Sequence, residues 1–225
     1  MLWEEDEIKE QFTVPDDVVD VAFAIDCRCL PADHAEALSE AVCRELPWLR
    51  DEEGAGLHLI HGADSGNGWY RPEGEADVIF LSRRAKLTLR LPKRRIEDAR
   101  KLSGRKLDVA GNVMEVGTGS VRLLSDITTL YSRYVVASED EDEAAFLTRS
   151  IQQLKDMGLR FKKILSGRSH YIARSDGRIF VRSLMVADLS PADSVQLQQR
   201  GLGPNRMLGC GLFIPHKAVK NIYRD

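Results

Sequence analysis

The sequence predicts an α+β fold in which strand, helix, strand, strand, helix and strand follow one another twice along a chain of 225 residues. Short segments with apolar residues at every second position predict the strands, and apolar residues three and four positions apart predict the helices. The same order resumes after residue 128, which predicts two units of similar size. Because 43% of the residues are hydrophobic and 30% are charged, the chain is able to bury such cores, which excludes disorder.

The first unit begins with VVDVAFAIDCRC, whose alternate residues from Val19 to Cys27 are apolar and predict a half-buried strand. In LPADHAEALSEAVCREL, Asp33 and Glu36 have the spacing of a capping box, so a helix is predicted with His34 in its first turn. The other predicted elements are the strands GLHLIH and KLTLRLP, the short helix IEDARKLSG and one or two final strands in RKLDVAGNVMEVG.

The second unit begins with the predicted strand TLYSRYVVA, and the acidic run SEDEDE precedes a helix that Gly158 ends. FKKILSG and GRIFVRSLMVADL predict a hairpin that turns near residues 175–177. Ser190 caps a further helix with Pro191 at its first position, and Gly201 ends that helix. CGLFIP is the last predicted strand.

These elements predict two tandem ferredoxin-like (RRM-like) βαββαβ domains with a C-terminal glycine-rich loop. We expect an acidic extension at residues 1–15 and domains at residues 16–126 and 127–225. The apolar runs are too short to span a membrane and the acidic start is unlike a signal peptide, so we expect a cytoplasmic protein. No Cys or His spacing indicates a metal, and we expect no cofactor. The four cysteines are predicted to be reduced core thiols: Cys27, Cys29, Cys43 and Cys210.

The formal net charge of −3 conceals an uneven distribution of charge. Residues 1–53 hold 16 acidic and 4 basic side chains, whereas residues 83–106 hold 11 basic and 2 acidic ones, and residues 160–182 hold seven basic ones and only Asp176. One basic run alone is as often a solvated face, but two of them on an acidic chain indicate an anionic partner. The RNA-binding candidates are Arg83, Arg84, Lys86, Arg90, Lys162, Lys163, Arg168 and Arg174.

KLTLRLP shows how a cationic face is expected to form. Lys86, Thr88 and Arg90 share one face of this predicted strand, and the three leucines share the other face. We therefore expect the leucines to be buried and the two cations to face solvent or an anionic ligand.

A glycine-rich segment, GLGPNRMLGCGLF, stands between the last predicted helix and the last predicted strand. Because it follows a helix and precedes a strand, it is neither a dinucleotide fingerprint nor a P-loop. Glycines allow backbone N–H groups to approach a phosphate, so this loop is predicted to hold a nucleic-acid backbone together with Arg206. The alternative is that the glycines only make two adjacent turns. The residues concerned are Gly201, Gly203, Gly209 and Gly211.

Four separated segments carry a family resemblance: CRCLPADHAEAL, LHLIHGADSGNGWYRP, LSRRAKLTLRLP and QQRGLGPNRMLGCGLFIPHK. In this order, from about residue 18 to residue 217, they resemble the repeat-processing endoribonucleases of CRISPR systems, in the repeat-associated RNA-binding superfamily, and most of all the type I Myxan subtype. The resemblance implies metal-independent cleavage of the CRISPR precursor RNA within each repeat. The 2′-hydroxyl would attack, which leaves a 2′,3′-cyclic phosphate and a 5′-hydroxyl.

The same resemblance implies that the protein stays bound to the 3′ hairpin of the guide RNA and joins other subunits of a type I interference complex (Cascade). Two alternatives remain open from the sequence. The fold would also suit a catalytically inactive subunit that holds the guide-RNA handle, or a ferredoxin-like RNA-binding protein unconnected with CRISPR.

Histidine suits the required proton transfers because its ordinary pKa lies close to neutral pH. The resemblance places the catalytic histidine at the start of the first helix, which is His34 here. His61 is the second candidate base. His58 and His61 are three residues apart, so in one strand they would point to opposite faces and at most one would face the site. His170 and His216 are weaker candidates.

Members of this family often pair the histidine with a tyrosine, a lysine or a serine. This sequence departs from the tyrosine version, because no tyrosine lies in or beside the first predicted helix. A lysine or arginine is then expected to stabilise the charge that develops on the phosphate. The candidates are Arg28, Lys86 and Lys163, of which Lys86 is the one placed in the predicted catalytic set with His34 and His61.

Overall fold

The computed structural model describes residues 12–62 and 77–216. Within these ranges it contains two antiparallel sheets and a separate two-stranded ribbon. The strands are β1 (Val18–Asp26), β2 (Cys29–Pro31), β3 (Gly56–His58), β4 (Val78–Phe80), β5 (Lys86–Pro92), β6 (Lys106–Val109), β7 (Asn112–Leu123), β8 (Leu130–Val136), β9 (Lys163–Arg174), β10 (Gly177–Ala187) and β11 (Ile214–Pro215). The α-helices are α1 (Ala35–Glu45), α2 (Ile96–Ala99), α3 (Glu143–Asp156) and α4 (Pro191–Arg200).

The first sheet has the strand order β3-β5-β1-β7-β6. Its alternating pattern places the β1 residues Val21 and Phe23 in one core with Leu89 of β5 and Leu38 of α1. Leu87, Leu89 and Leu91 are all buried, as the pattern of KLTLRLP predicts. The opposite face of this sheet is therefore left for the second domain.

The second sheet has the order β11-β8-β10-β9, and α3 and α4 supply Phe146 and Leu197 to its core. Both helices begin at the predicted caps. Asp142 accepts a hydrogen bond from the amide of Ala145, and Ser190 accepts one from the amide of Asp193. Each unit thus shows the ferredoxin-like strand order, which confirms the predicted fold class. The boundary at residue 126 stays a prediction.

The capping box predicted at the start of α1 is wrong. His34 occupies the N-cap position and makes no side-chain capping bond. Asp33 instead accepts from the amide of Ala173, and Glu36 accepts from the amide and hydroxyl of Ser175. Both carboxylates therefore bind the β9–β10 hairpin of the second domain, a partner that local spacing does not reveal.

Three other predictions need correction. CGLFIP forms a strand only at Ile214–Pro215, because Gly211 adopts a φ of 66° that interrupts an extended chain. The hairpin turns near residues 175–177 as predicted, but its first strand is longer than FKKILSG and runs from Lys163 to Arg174. Cys43 and Cys210 are buried, but Cys27 and Cys29 are only half-buried. No helix in the described ranges has the length and apolar character that crossing a membrane requires.

Candidate active site in the cleft between the domains

A cleft of about 280 Å³ lies where the two domains meet. One wall is the helix-free face of the first sheet, which exposes alternate residues such as Ala22 of β1 and Thr88 of β5. β8 of the second domain and the glycine-rich loop complete the enclosure. The polar residues lining it are Asp20, His58, His61, Lys86, Thr88, Arg122, Arg133 and Tyr134.

His58 and His61 both line this cleft, so the expectation that at most one of them faces the site is wrong. The expectation assumed that GLHLIH is a continuous strand. β3 ends at His58, and the residues that follow no longer alternate between two faces. The change of backbone direction brings both imidazoles to one site.

A tyrosine from a distant part of the sequence, Tyr134, lines the cleft together with the histidines. Its side chain, 4% exposed, comes from β8 of the second domain. The ring centroid of Tyr134 lies 6.3 Å from that of His61 and 6.3 Å from that of His170, which meets it edge-on. Docking of the two domains creates this group of three rings, so no local sequence signal could have identified it.

His34 is 3% exposed and both nitrogens of its ring contact the main chain. Nδ1 donates to the carbonyl of Pro31 at 2.9 Å, and Nε2 accepts from the amide of Ile60 at 3.3 Å. These contacts require the neutral ring with its proton on Nδ1. His34 thus connects the start of α1 to the segment that carries His61.

Lys86 is exposed at the cleft, as predicted for its strand face. Arg122 of β7 and Arg133 of β8 stand in the same lining and were not predicted. In SVRLL, Arg122 stands between two apolar residues, which predicts that it lies on the polar face of a strand. Only the docked domains show that this face is the cleft face. The cleft therefore combines two imidazoles with three cations from both domains.

Arg90 corrects the expectation of a cationic strand face. Its side chain is 1% exposed and donates to both carboxylate oxygens of Asp20, at 2.8 and 2.9 Å. It also donates to the carbonyls of Gln198 and Phe213 in the second domain. Because the second domain covers the end of this face, Arg90 is buried at the domain interface instead of facing an RNA backbone.

The carboxyl of Asp20 stays ionised at this interface. Burial opposes ionisation, but the Arg90 guanidinium and the neighbouring His58 ring hold the pKa of Asp20 well below its usual range. The Asp20 carboxylate therefore carries its negative charge at neutral pH.

A sequence profile of the family described as Cas6 Crispr matches residues 19–218, most of the chain. The chain belongs to the Cas6 Crispr family. It is 27% identical over 197 residues to the CRISPR-associated endonuclease Cas6 of Myxococcus xanthus strain DK1622, a match that covers 88% of this chain and 81% of that protein.

Solved structures show the same fold. A CRISPR-associated protein Cas6 matches with a TM-score of 0.62 at 13% identity, covering 89% of this chain and 100% of that one. A Cas6-related protein from Pyrococcus furiosus matches with a TM-score of 0.56 at 10% identity, covering 89% and 99%. A protein described as an RAMP protein binding different RNA substrates matches with a TM-score of 0.55 at 12% identity, covering 87% and 98%.

The glycine-rich loop of this Cas6 Crispr family member packs against the protein itself. Gly201, Gly203, Gly209 and Gly211 all have positive φ, and a Cβ at Gly201 would lie 2.6 Å from the carbonyl oxygen of Gly211. The loop thus depends on glycine for close approach of its own backbone. Gly209 also lines the cleft, so the loop forms part of the site.

Arg206 braces this loop. Its guanidinium donates to the carbonyls of Gly54 and Ala55 in the first domain, and to those of Gln199 and Arg200 at the end of α4. Burial lowers the pKa of Arg206 to about 10, with the nearby Arg90 acting in the same direction. Contact of Arg206 with an RNA backbone stays a prediction, and its geometry favours an internal role.

The predicted cations of the second domain lie along β9 or just before it, and none is among the described residues that line the cleft. Lys162, Lys163 and Arg168 are exposed, and Nζ of Lys163 lies 3.3 Å from Oδ2 of Asp188. Arg174 pairs with Asp176 at 2.9 Å. Arg28, like Lys163, lies outside the cleft lining, so Lys86 is the charge-stabilising candidate that the structure brings to the histidines.

Proposed function

We propose that this protein is a metal-independent endoribonuclease that cleaves CRISPR precursor RNA within its repeats and produces guide RNAs. Membership of the Cas6 Crispr family and the relative named as a CRISPR-associated endonuclease support the substrate class. The observation that carries the mechanism is the cleft in which His61 lies beside Tyr134 with Lys86 in the same lining. A proton-transfer group and a cation at one site are what attack by a 2′-hydroxyl needs.

In this mechanism the 2′-oxygen of the nucleotide before the scissile bond attacks the phosphorus, and the 5′-oxygen leaves. The products are a 2′,3′-cyclic phosphate and a 5′-hydroxyl. His61 transfers a proton, and Tyr134 limits the orientations of its ring. Lys86, Arg122 and Arg133 stabilise the negative charge that develops on the phosphate oxygens, which is usually the largest catalytic contribution.

The role of His34 as the catalytic histidine stays a prediction. Its contacts with the Pro31 carbonyl and the Ile60 amide support a positioning role, because they hold the segment that ends in His61. The variants His34→Ala and His61→Ala separate the two roles. His61→Ala should remove cleavage and leave RNA affinity within a few fold. His34→Ala should impair cleavage and, unlike His61→Ala, should lower thermal stability as well.

We further propose that the RNA partner is the CRISPR repeat and the 3′ hairpin of the guide RNA, held by the cleft and by exposed cations beside it. Arg83 and Arg84 are exposed immediately before β5, next to Lys86. A-form RNA is recognised mainly through its backbone shape and phosphates, which suits a cationic cleft between two domains. Association with other subunits of a type I interference complex is proposed with it.

The test is incubation of the purified protein with CRISPR repeat RNA in excess chelator, beside the same RNA with a 2′-deoxy sugar at the cleavage nucleotide. We expect cutting of the first RNA and not of the second. Cutting of both would exclude 2′-hydroxyl attack. Tight binding with neither RNA cut would overturn the nuclease function and leave a subunit that holds the guide-RNA handle.

A further inference from the structure

His58 lines the cleft, and the proposed mechanism assigns it no task. Its side chain is 17% exposed and lines the cleft together with His61 and Lys86. It stands at the end of β3, so the first sheet fixes its backbone more firmly than a loop would. The cleft thus contains the His58 imidazole, held on a strand, in addition to the His61 imidazole.

Asp20 orients the His58 ring. Nε2 of His58 is buried and lies 3.7 Å from Oδ1 of Asp20, whose two oxygens accept from Arg90 at 2.8 and 2.9 Å. A carboxylate that faces one ring nitrogen favours the tautomer with its proton on that nitrogen. Nδ1 is then the nitrogen with the free electron pair, which is the one able to accept a proton.

The charged groups around His58 come from three elements. Burial lowers the pKa of the His58 imidazole, Arg90 of β5 and Arg206 of the glycine-rich loop lower it further, and Asp20 of β1 raises it. The net direction is downward, so the ring is neutral at pH 7. A neutral imidazole is the form that takes up a proton.

We propose that His58 is the proton acceptor of the cleavage step and that Asp20 positions it, an inference that rests on the proposed function. The 2′-oxygen forms its bond to phosphorus as its proton passes to Nδ1 of His58. The bond between phosphorus and the 5′-oxygen breaks as protonated His61 donates a proton to that oxygen. His58 ends protonated and His61 neutral, and exchange with solvent restores both without any other reactant.

The experiment measures single-turnover cleavage of repeat RNA in chelator from pH 5 to 9 for the wild-type protein and the variants His58→Gln, His58→Asn and His61→Gln. The matched control is His216→Gln, a histidine outside the cleft lining of the described residues. A second substrate carries sulfur in place of the 5′-oxygen at the scissile bond, because a thiolate leaves without receiving a proton. Melting curves and RNA affinities accompany each variant.

Loss of His58 should lower the cleavage rate by about 10²–10⁴-fold and remove the acid side of the pH profile, with His216→Gln unchanged. The sulfur substrate should restore cleavage to His61→Gln and not to His58→Gln. Recovery of His58→Gln on that substrate, or a rate within threefold of wild type, would overturn the assignment. The assignment would also be overturned if the rate losses of His58→Gln and His58→Asn were explained by unfolding of both variants. A wild-type protein that does not cut contradicts the proposed function itself, whereas a wild-type protein that cuts alongside an active His58→Gln contradicts only this inference.

Discussion

Arg90 and Asp20 form a two-bonded ion pair at the junction of the two domains, with N–O distances of 2.8 and 2.9 Å. The same guanidinium donates to the carbonyls of Gln198 and Phe213, so a strand of the first sheet is tied directly to the second domain. One buried residue therefore couples the stability of the domain interface to the shape of the cleft beside it.

Asp20→Asn should lower the free energy of unfolding by about 3–5 kcal/mol, because it leaves the buried Arg90 guanidinium without its counter-charge. Chemical denaturation measures the loss. The control is Glu115→Gln, which removes the partner of the exposed Lys106 and should cost far less. Equal losses in the two variants would show that the buried pair is no more important than a surface one.

Stability should also fall in acid. The pKa of Asp20 is lower in the folded protein than in the unfolded chain, so its contribution is complete above about pH 4 and is lost as the pH falls towards its folded pKa. The pKa of His58 is likewise lowered, so its contribution is complete above about pH 6.5 and decreases below that value. Unfolding free energies measured from pH 8 to 3 should be level above pH 7 and decline below it. Asp20→Asn should flatten the lower part of the decline. Because Asp20 raises the pKa of His58, the same variant should extend the part of the decline that His58 causes to lower pH.

Gly211→Ala should be much more destabilising than Gly203→Ala. Both glycines have positive φ, 66° and 80°, so each alanine costs about 1–2 kcal/mol for the backbone alone. A Cβ at Gly211 would also overlap the backbone of Leu202, whereas a Cβ at Gly203 would meet no atom within 4 Å. Thermal melting of the two variants compares them. Similar melting temperatures would mean that the packing of the loop is not as tight as the structure indicates.

The salt dependence of RNA affinity should report the number of phosphates that the protein neutralises. If six phosphates are neutralised, the logarithm of affinity should fall with the logarithm of salt concentration with a slope of roughly −4 to −5. Arg83→Ala should reduce the magnitude of the slope by about 0.7–0.9, since one phosphate contact is lost. Arg94→Ala is the control because Arg94 pairs with Glu52. An unchanged slope for Arg83→Ala would remove that residue from the RNA interface.

His34→Ala should destabilise the protein by about 1–3 kcal/mol, because the Pro31 carbonyl and the Ile60 amide lose their hydrogen-bond partner. His34→Gln retains a donor and an acceptor and should recover part of this loss. Denaturation curves of the two variants provide the measurement. A His34→Ala protein as stable as wild type would contradict the bridging role of the ring.

The local elements follow from the sequence to a large extent, because their determinants lie within a few residues of one another. The leucines of β5 are buried as the alternation predicts, and Ser190 caps α4 as expected. The failures occur where the partner is distant in sequence. Asp33 and Glu36 have the spacing of a cap but bind a hairpin about 140 residues away, and Arg90 has the spacing of an exposed cation but is buried by the second domain.

The sequence by itself determined the two ferredoxin-like units, the family resemblance and the exposure of Lys86 on its strand face, since strand periodicity, motif order and strand-face parity can all be read along the chain. Only the tertiary structure decided that His58 and His61 share one cleft and that Tyr134 joins them there. Only the tertiary structure, too, shows that Arg90 is buried and that Arg206 binds backbone carbonyls of the protein itself. The physical reason is that these outcomes depend on how the two sheets dock, and docking is set by shape and by long-range polar contacts that have no period along the sequence.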